Sequence, residues 1–209
     1  MRIVAGTLKG RRIEAPSWDG LRPTSDKLRE TLFNVLTPRI EGARVLDGFA
    51  GTGAVGIEAL SRGAAHVTFV ERDPRAVALI TSNLERCGIT DRYAIIRVRF
   101  AGTVRPPDGG SFDVIFLDPP YGARELIDAI ETAAPLVEQQ TLLVVAHARR
   151  DPAPESLGVL ARTRVLTSGD SALAFYTRQP GTPPSHLGST GGATARQAVR
   201  KKEANERSE

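Results

Sequence analysis

LDGFAGTGAVG, residues 46–56, is the stretch that decides how the rest of the chain reads. A short apolar strand, Val45-Leu46, leads into it, and a helix beginning at Ala54 leads out. Gly51, Gly53 and Gly56 match G-x-G-x-x-G in the strand–turn–helix context the motif requires. Glycines at those spacings let the backbone turn tightly and approach a ligand closely. Glu71 follows Gly51 by 20 positions, at the end of the next apolar strand. A carboxylate there can accept both hydroxyls of a ribose. Loop and acid together predict a nucleoside-containing cofactor, and a dinucleotide would use the same loop. Asp47, ahead of the glycines, favours an ammonium over a pyrophosphate, and the amino-acid end of S-adenosylmethionine carries one. The plainer role for Asp47 is to cap the loop that follows.

Outward from this loop the pattern alternates. Strands are predicted at Val45-Leu46, 67–70, 93–98, 112–117 and 142–146, with helices over 54–62, 74–87 and 123–134. Gly63 and Gly88 close the first two helices, and Asp73-Pro74 opens the second. Residues 159–166 and 172–177 read as a closing antiparallel pair. The fold class is therefore α/β, a mostly parallel sheet with helices on both faces. Upstream, residues 2–14 suit a short hairpin. Thr24 to Leu36 suits a helix in which Leu28, Leu32, Phe33, Val35 and Leu36 recur, capped by Thr24, Ser25 or Asp26, with Pro38 just past its end. The expected organisation is an N-terminal extension over 1–42, a cofactor-binding domain over 43–179 and a disordered tail over 180–209, rich in Pro, Gly, Ser and charge.

The net charge of +4 is distributed unevenly. It is +4 over residues 1–45, −2 over 46–180 and +2 over 181–209. A basic N-terminal segment suggests a polyanionic partner. One cysteine, Cys87, excludes an internal disulfide framework and fits a cytoplasmic protein. No apolar run nears the roughly 20 residues that span a bilayer, and MRIVAGTLKGRR resembles no signal peptide. His66, His147 and His186 are scattered, so no metal site is expected.

The second chemical motif is Asp118-Pro119-Pro120-Tyr121, at the end of the fourth strand. In an open α/β sheet ligands bind at that edge. Two prolines stiffen the turn and remove N–H donors. What remains is acceptors: the Asp118 carboxylate and the carbonyls of Asp118 and Pro119. Such a turn suits an –NH2 group, whose two hydrogens it can accept. Taking both hydrogens of a nucleobase amine favours a pyramidal nitrogen and aims its lone pair outward. Tyr121 can stack on the base. A paired base cannot enter, so the target is unpaired or flipped out.

DGFAGTG followed by DPPY resembles the class I S-adenosylmethionine-dependent amino-methyltransferases. RIVAGTLKGRRI, LRPTSDKLRETLFNVL and LDGFAGTGAVGIEALSRGA narrow the resemblance to the RsmD family of bacterial 16S rRNA guanine-N2 methyltransferases, from Arg2 to about Arg178. The resemblance implies a Rossmann-like seven-stranded sheet with a small hairpin-plus-helix extension that helps hold RNA. It implies S-adenosylmethionine as cofactor, with Asp47, Phe49, Ala50, Gly51, Gly53, Glu71 and Arg72 around it. It implies that Asp118, Pro119, Pro120 and Tyr121 hold the guanine. The candidate RNA contacts are Arg2, Lys9, Arg11, Arg12, Arg22, Lys27 and Arg29. The expected partner is 16S rRNA or a 30S assembly intermediate, and the chain is expected to act as a monomer. Two places depart from the family pattern. Arg97-Val98-Arg99 follows the third strand where Asp or Asn is usual near the adenine. His147 follows the fifth strand where an acid is usual. Two other readings remain: a DNA adenine or cytosine amino-methyltransferase, and a non-catalytic ribosome-assembly protein on the same fold.

Overall fold

The computed structural model describes residues 1–18 and 24–181. Arg22 and nearly all of the expected disordered tail lie outside the described residues. Four α-helices are described, α1 (Asp26–Ile40), α2 (Ala54–Ser61), α3 (Pro74–Cys87) and α4 (Ala123–Ala133). The strands are β1 (Arg44–Gly48), β2 (His66–Glu71), β3 (Tyr93–Arg97), β4 (Val114–Leu117), β5 (Leu142–Ala148), β6 (Ser156–Leu157), β7 (Leu160–Ser168) and β8 (Ser171–Arg178). They form one sheet in the order β3-β2-β1-β4-β5-β8-β7-β6. β1 to β5 are parallel, and the last three strands are antiparallel additions. All seven expected strands are present. The eighth, Ser156–Leu157, is a two-residue edge too short to carry a periodic signal.

The central parallel strands are apolar along most of their length because helices cover both faces. β4 and β5 are buried at every position. Two apolar clusters sit on opposite faces of the sheet. One contains Val45, Val67, Phe116 and Phe175; the other contains Leu46, Val70, Ile115 and Tyr176. The division of neighbouring residues between them follows from side chains pointing to opposite faces at successive positions. All eight residues of α2 are buried, Glu58 among them. Gly56 lets that helix lie directly on β2, since a Cβ there would stand 2.2 Å from the Phe69 ring.

The N-terminal segment packs into the first cluster. Ile3, Ile13, Leu28, Leu32 and Phe33 join Ile57 and Leu60 of α2 in one core, so packing continues across residue 42. An antiparallel bridge between Arg2 and Arg12 gives the expected hairpin. Its backbone docks on the Glu58 carboxylate, which accepts from Val4 N at 2.7 Å and Ala5 N at 2.9 Å. Two expectations are corrected by the structure. α1 runs to Ile40 with Pro38 inside its last turn, rather than ending before the proline. The carbonyl that Pro38 cannot bond is that of Asn34, on an exposed part of the helix where water can take it. Arg29, placed among the RNA contacts, is fully buried. Its Nη2 donates to Asp26 at 2.5 Å and to the Arg2 carbonyl at 2.9 Å, and its Nη1 lies 3.6 Å from Glu58. It fastens the N-terminal segment to the core and cannot reach RNA.

Among the described residues no helix is long and apolar enough to cross a membrane.

Candidate active site

β1 lies between β2 and β4, so the chain winds to opposite sides of it. The crevice at such a switch point, beyond the carboxyl ends of the strands, is where open α/β sheets bind ligands. Both sequence motifs end there. Asp47 pairs in register with Phe116 and Gly48 with Leu117, which sets the glycine loop beside the Asp118 turn.

The loop is held by a small set of bonds. Ala50 N donates to Val70 O at 3.0 Å, and Gly53 N to Ala50 O at 2.7 Å. Gly51 and Gly53 take positive φ of 55° and 73°, and Phe49 takes 63°. For phenylalanine that conformation costs on the order of 1–3 kcal/mol and persists only where the surroundings impose it. Here the Phe49 ring packs against Phe100 with centroids 5.5 Å apart. Phe100 itself is buried, and Val98 and Arg99 before it are exposed.

Three carboxylates face this crevice. Asp47 is buried and accepts from Gly56 N in the first turn of α2 at 2.9 Å. Burial holds its carboxyl well above the usual carboxylate range. The Gly56 N–H opposes that rise, and the Asp118 and Glu71 carboxylates add to it. Among the described residues no arginine or lysine enters this balance. Like charges gathered in a desolvated crevice favour a positively charged ligand. These acceptors thus suit a cationic ligand better than a pyrophosphate.

Glu71 does more than the sequence suggests. Its Oε2 accepts from Gly51 N at 2.9 Å, and its Oε1 from Arg72 N at 2.7 Å and Asp73 N at 2.9 Å. A carboxylate offers about four lone-pair positions, so one is left, on Oε2. Glu71 can hold the glycine loop and take one ribose hydroxyl together, but a grip on both hydroxyls would displace a backbone N–H. Arg72 is exposed at the crevice edge.

At the other wall, Asp118 Oδ2 accepts from Thr24 Oγ1 at 2.8 Å. Burial pushes the Asp118 carboxyl up to about 6, against the downward pull of the Thr24 hydroxyl. Pro119 is buried, and Pro120 and Tyr121 are exposed. Tyr121 is 44% exposed, enough to offer a ring face, while its hydroxyl bonds Ser171 Oγ at 2.9 Å. The ring is thus tethered at its tip and open on its surface.

The structure brings Asp47, Phe49, Ala50, Gly51, Gly53, Glu71 and Arg72 to one side of the crevice and Asp118 to Tyr121 to the other. Arg2, Lys9, Arg11, Arg12 and Lys27 are exposed on the N-terminal segment. Arg11 also donates to the Cys87 carbonyl at 3.1 Å, capping the end of α3. The sequence reading missed Ser171, Glu58 and Asn83. Asn83 donates to the carbonyls of Glu14 and Thr52 and accepts from Glu14 N, tying the N-terminal segment to the glycine loop. Glu58 had a signal: a lone carboxylate in an otherwise apolar helix must be paired.

The family model described as Conserved hypothetical protein 95 matches residues 1–177. YlbH of Bacillus subtilis is 37% identical over 188 residues, covering 86% of this chain and 100% of its own. Ribosomal RNA small subunit methyltransferase D of Escherichia coli K12 is 34% identical over 183 residues, covering 86% of this chain and 90% of its own. The solved structure of yhhF from Escherichia coli superimposes with a TM-score of 0.70 at 33% identity, covering 86% of this chain and 98% of that one.

Proposed function

The chain belongs to the RsmD family of small-subunit ribosomal RNA methyltransferases, and on that premise we propose that it methylates the exocyclic N2 amine of a guanine in 16S rRNA with S-adenosylmethionine as methyl donor. The observation that carries this reading is the pairing of two walls at one switch point. One wall is a carboxylate-lined crevice for a cation. The other is a donor-poor turn ending in an open aromatic face.

Asp47, Phe49, Ala50, Gly51 and Gly53 would hold the methionine end of the cofactor, with Glu71 and Arg72 on the ribose side. When bound, the cofactor supplies a methyl group already activated on a sulfonium. The protein's part is placement, for which about 7–11 kcal/mol of a barrier is available. Tyr121 stacks on the flipped guanine. Asp118 Oδ1 and the Pro119 carbonyl accept the two hydrogens of N2. The nitrogen gains a methyl group and must lose a proton, and the Asp118 carboxylate is in place to take it. A carboxyl raised to about 6 is a stronger base than an ordinary aspartate.

Asp118 acts in its ionised form, so turnover should rise with pH through about 6 and then level off. An ordinary aspartate would place that limb near pH 4. A single-turnover pH–rate profile measures it directly, and a flat rate from about pH 5 to 8 would remove Asp118 as the proton acceptor.

Arg2, Lys9, Arg11, Arg12 and Lys27 would contact RNA phosphates. Arg12→Glu and Lys9→Glu should each weaken 16S rRNA binding. Each should also reduce the slope of log Kd against log salt by about 0.7–0.9 for every phosphate no longer neutralised. An unchanged slope would leave these residues with no part in RNA binding. Arg11 is a poorer probe because its reversal also uncaps α3.

The decisive experiment offers labelled S-adenosylmethionine with 16S rRNA, 30S particles and duplex DNA, then digests the products to nucleosides. N2-methylguanosine from a ribosomal substrate is the expected result. Methylated adenine or cytosine from DNA would overturn the reading.

A further inference from the structure

We infer that Thr24 is a positioning residue for methyl transfer, its hydroxyl fixing the Asp118 carboxylate so that Oδ1 faces the target amine. The inference rests on the role of Asp118 proposed for the reaction.

The terminal torsion of aspartate is broad and roughly two-fold, so the side chain alone does not aim its oxygens. A partner must do so. Thr24 Oγ1 donates to Oδ2 at 2.8 Å across 94 positions of sequence. Among the described residues this is the one hydrogen bond the Asp118 carboxylate receives, which leaves Oδ1 for a ligand. The choice of threonine is itself informative. A β-branched side chain is stiff at χ1, so its hydroxyl is a better fixed point than that of serine.

Thr24 is in turn anchored. Ser25, next in sequence, caps α1 by accepting from Leu28 N at 3.2 Å, and its carbonyl accepts from Arg29 N at 3.0 Å. One turn on, the buried Arg29 pairs with Asp26 in the first turn of α1 and ties the helix to the Arg2 carbonyl and to Glu58. Leu28, Leu32 and Phe33 bury the same helix in the core. Two adjacent hydroxyls therefore divide two tasks. Ser25 fixes the helix start, and Thr24 projects from that fixed start to the catalytic turn. The N-terminal segment supplies part of the catalytic geometry as well as basic surface.

Burial raises the Asp118 carboxyl, and the Thr24 hydroxyl, from the segment before α1, opposes that rise. Removing the hydroxyl removes the one interaction among the described residues that favours the ionised form.

The test uses the full chain with 16S rRNA or 30S particles and labelled S-adenosylmethionine. Thr24→Val keeps the shape and deletes the donor. It should lower kcat by about ten- to a hundredfold, the effect of one hydrogen bond to a charged group. KM for S-adenosylmethionine should stay unchanged, and the acidic limb of the pH–rate profile should move to higher pH. Thr24→Ser should recover most of the rate. In an Asp118→Ala background, Thr24→Val should add no further loss, because no side-chain oxygen is left to position.

Wild-type kcat in Thr24→Val, with Asp118→Ala inactive, would overturn this inference and leave the Asp118 assignment standing. Losses that multiply in the double variant would also overturn it, since Thr24 would then act on RNA directly. Failure of Thr24→Ser to recover activity would do the same. Wild-type turnover in Asp118→Ala would overturn the Asp118 assignment first, and the role of Thr24 with it.

Discussion

Asp118→Ala should lower kcat for methyl transfer by about 10²–10⁴-fold, the range for losing a positioned general base, and leave cofactor affinity nearly unchanged. The separation follows from where the side chain stands. Asp118 belongs to the β4 turn, whereas the glycine loop is held by Glu71, Asp47 and backbone bonds from Ala50 to Val70 and from Gly53 to Ala50. Deleting the Asp118 carboxylate breaks its single bond to Thr24 and none of those. It also removes a like charge beside Asp47, so the Asp47 carboxyl should fall toward the ordinary range. Calorimetric titration with S-adenosylmethionine beside a single-turnover assay separates the two effects. Retained turnover would show that the turn does not take the amine's hydrogens.

Glu58→Ala should be the most destabilising single change on the N-terminal side. The carboxylate is fully buried and joins four partners. It accepts from Val4 N, Ala5 N and Arg62 Nε at 2.9 Å or less, and it lies 3.6 Å from Arg29 Nη1. Without it, the buried Arg29 guanidinium keeps only Asp26 as an anionic partner, and two hairpin N–H groups lose theirs. Removing one partner from a buried ionic network costs about 3–5 kcal/mol. For a chain of this size each kcal/mol moves Tm by about 2–4 °C, so a drop of about 6–20 °C is expected. Hydrogen exchange at Val4 and Ala5 should accelerate as well. A variant melting within about a degree of the wild type would mean that apolar packing of Ile3 and Ile13 holds the hairpin without the network.

What was legible in the sequence was local. The glycine loop, Glu71 and the Asp118 turn each carry their chemistry within a few residues, and the strand–helix alternation placed them at one edge of a sheet. The missed features were pairings that periodicity does not encode. Arginine is almost never fully buried unless paired, so Arg29 read as surface charge. Its partner Glu58 lies in another helix, and only the fold brings them within reach. Thr24 and Asp118 are equally distant in sequence. Pro38 read as a stop because a proline inside a helix removes a hydrogen bond, yet the carbonyl it leaves is on a solvent-facing turn where the loss is small. Glu71 ends β2 as its spacing from the glycines implied, but the three backbone donors already on it depend on a loop conformation that composition does not reveal.

The place of β8 between β5 and β7 has a consequence for synthesis of the chain. At about 5–20 residues per second, Arg178 follows Ala148 out of the ribosome by about 1.5–6 s. During that delay the β3-β2-β1 side of the sheet has its whole sequence, while β5 has no neighbour on its outer edge. That strand, Leu142 to Ala148, is apolar apart from His147 and carries no Lys, Arg, Asp or Glu. An open edge of that kind recruits other chains. The last of the described strands therefore covers this apolar edge of the nascent protein. The same strand brings Ser171 to the Tyr121 hydroxyl, so the tether on that ring forms in the step that covers the edge.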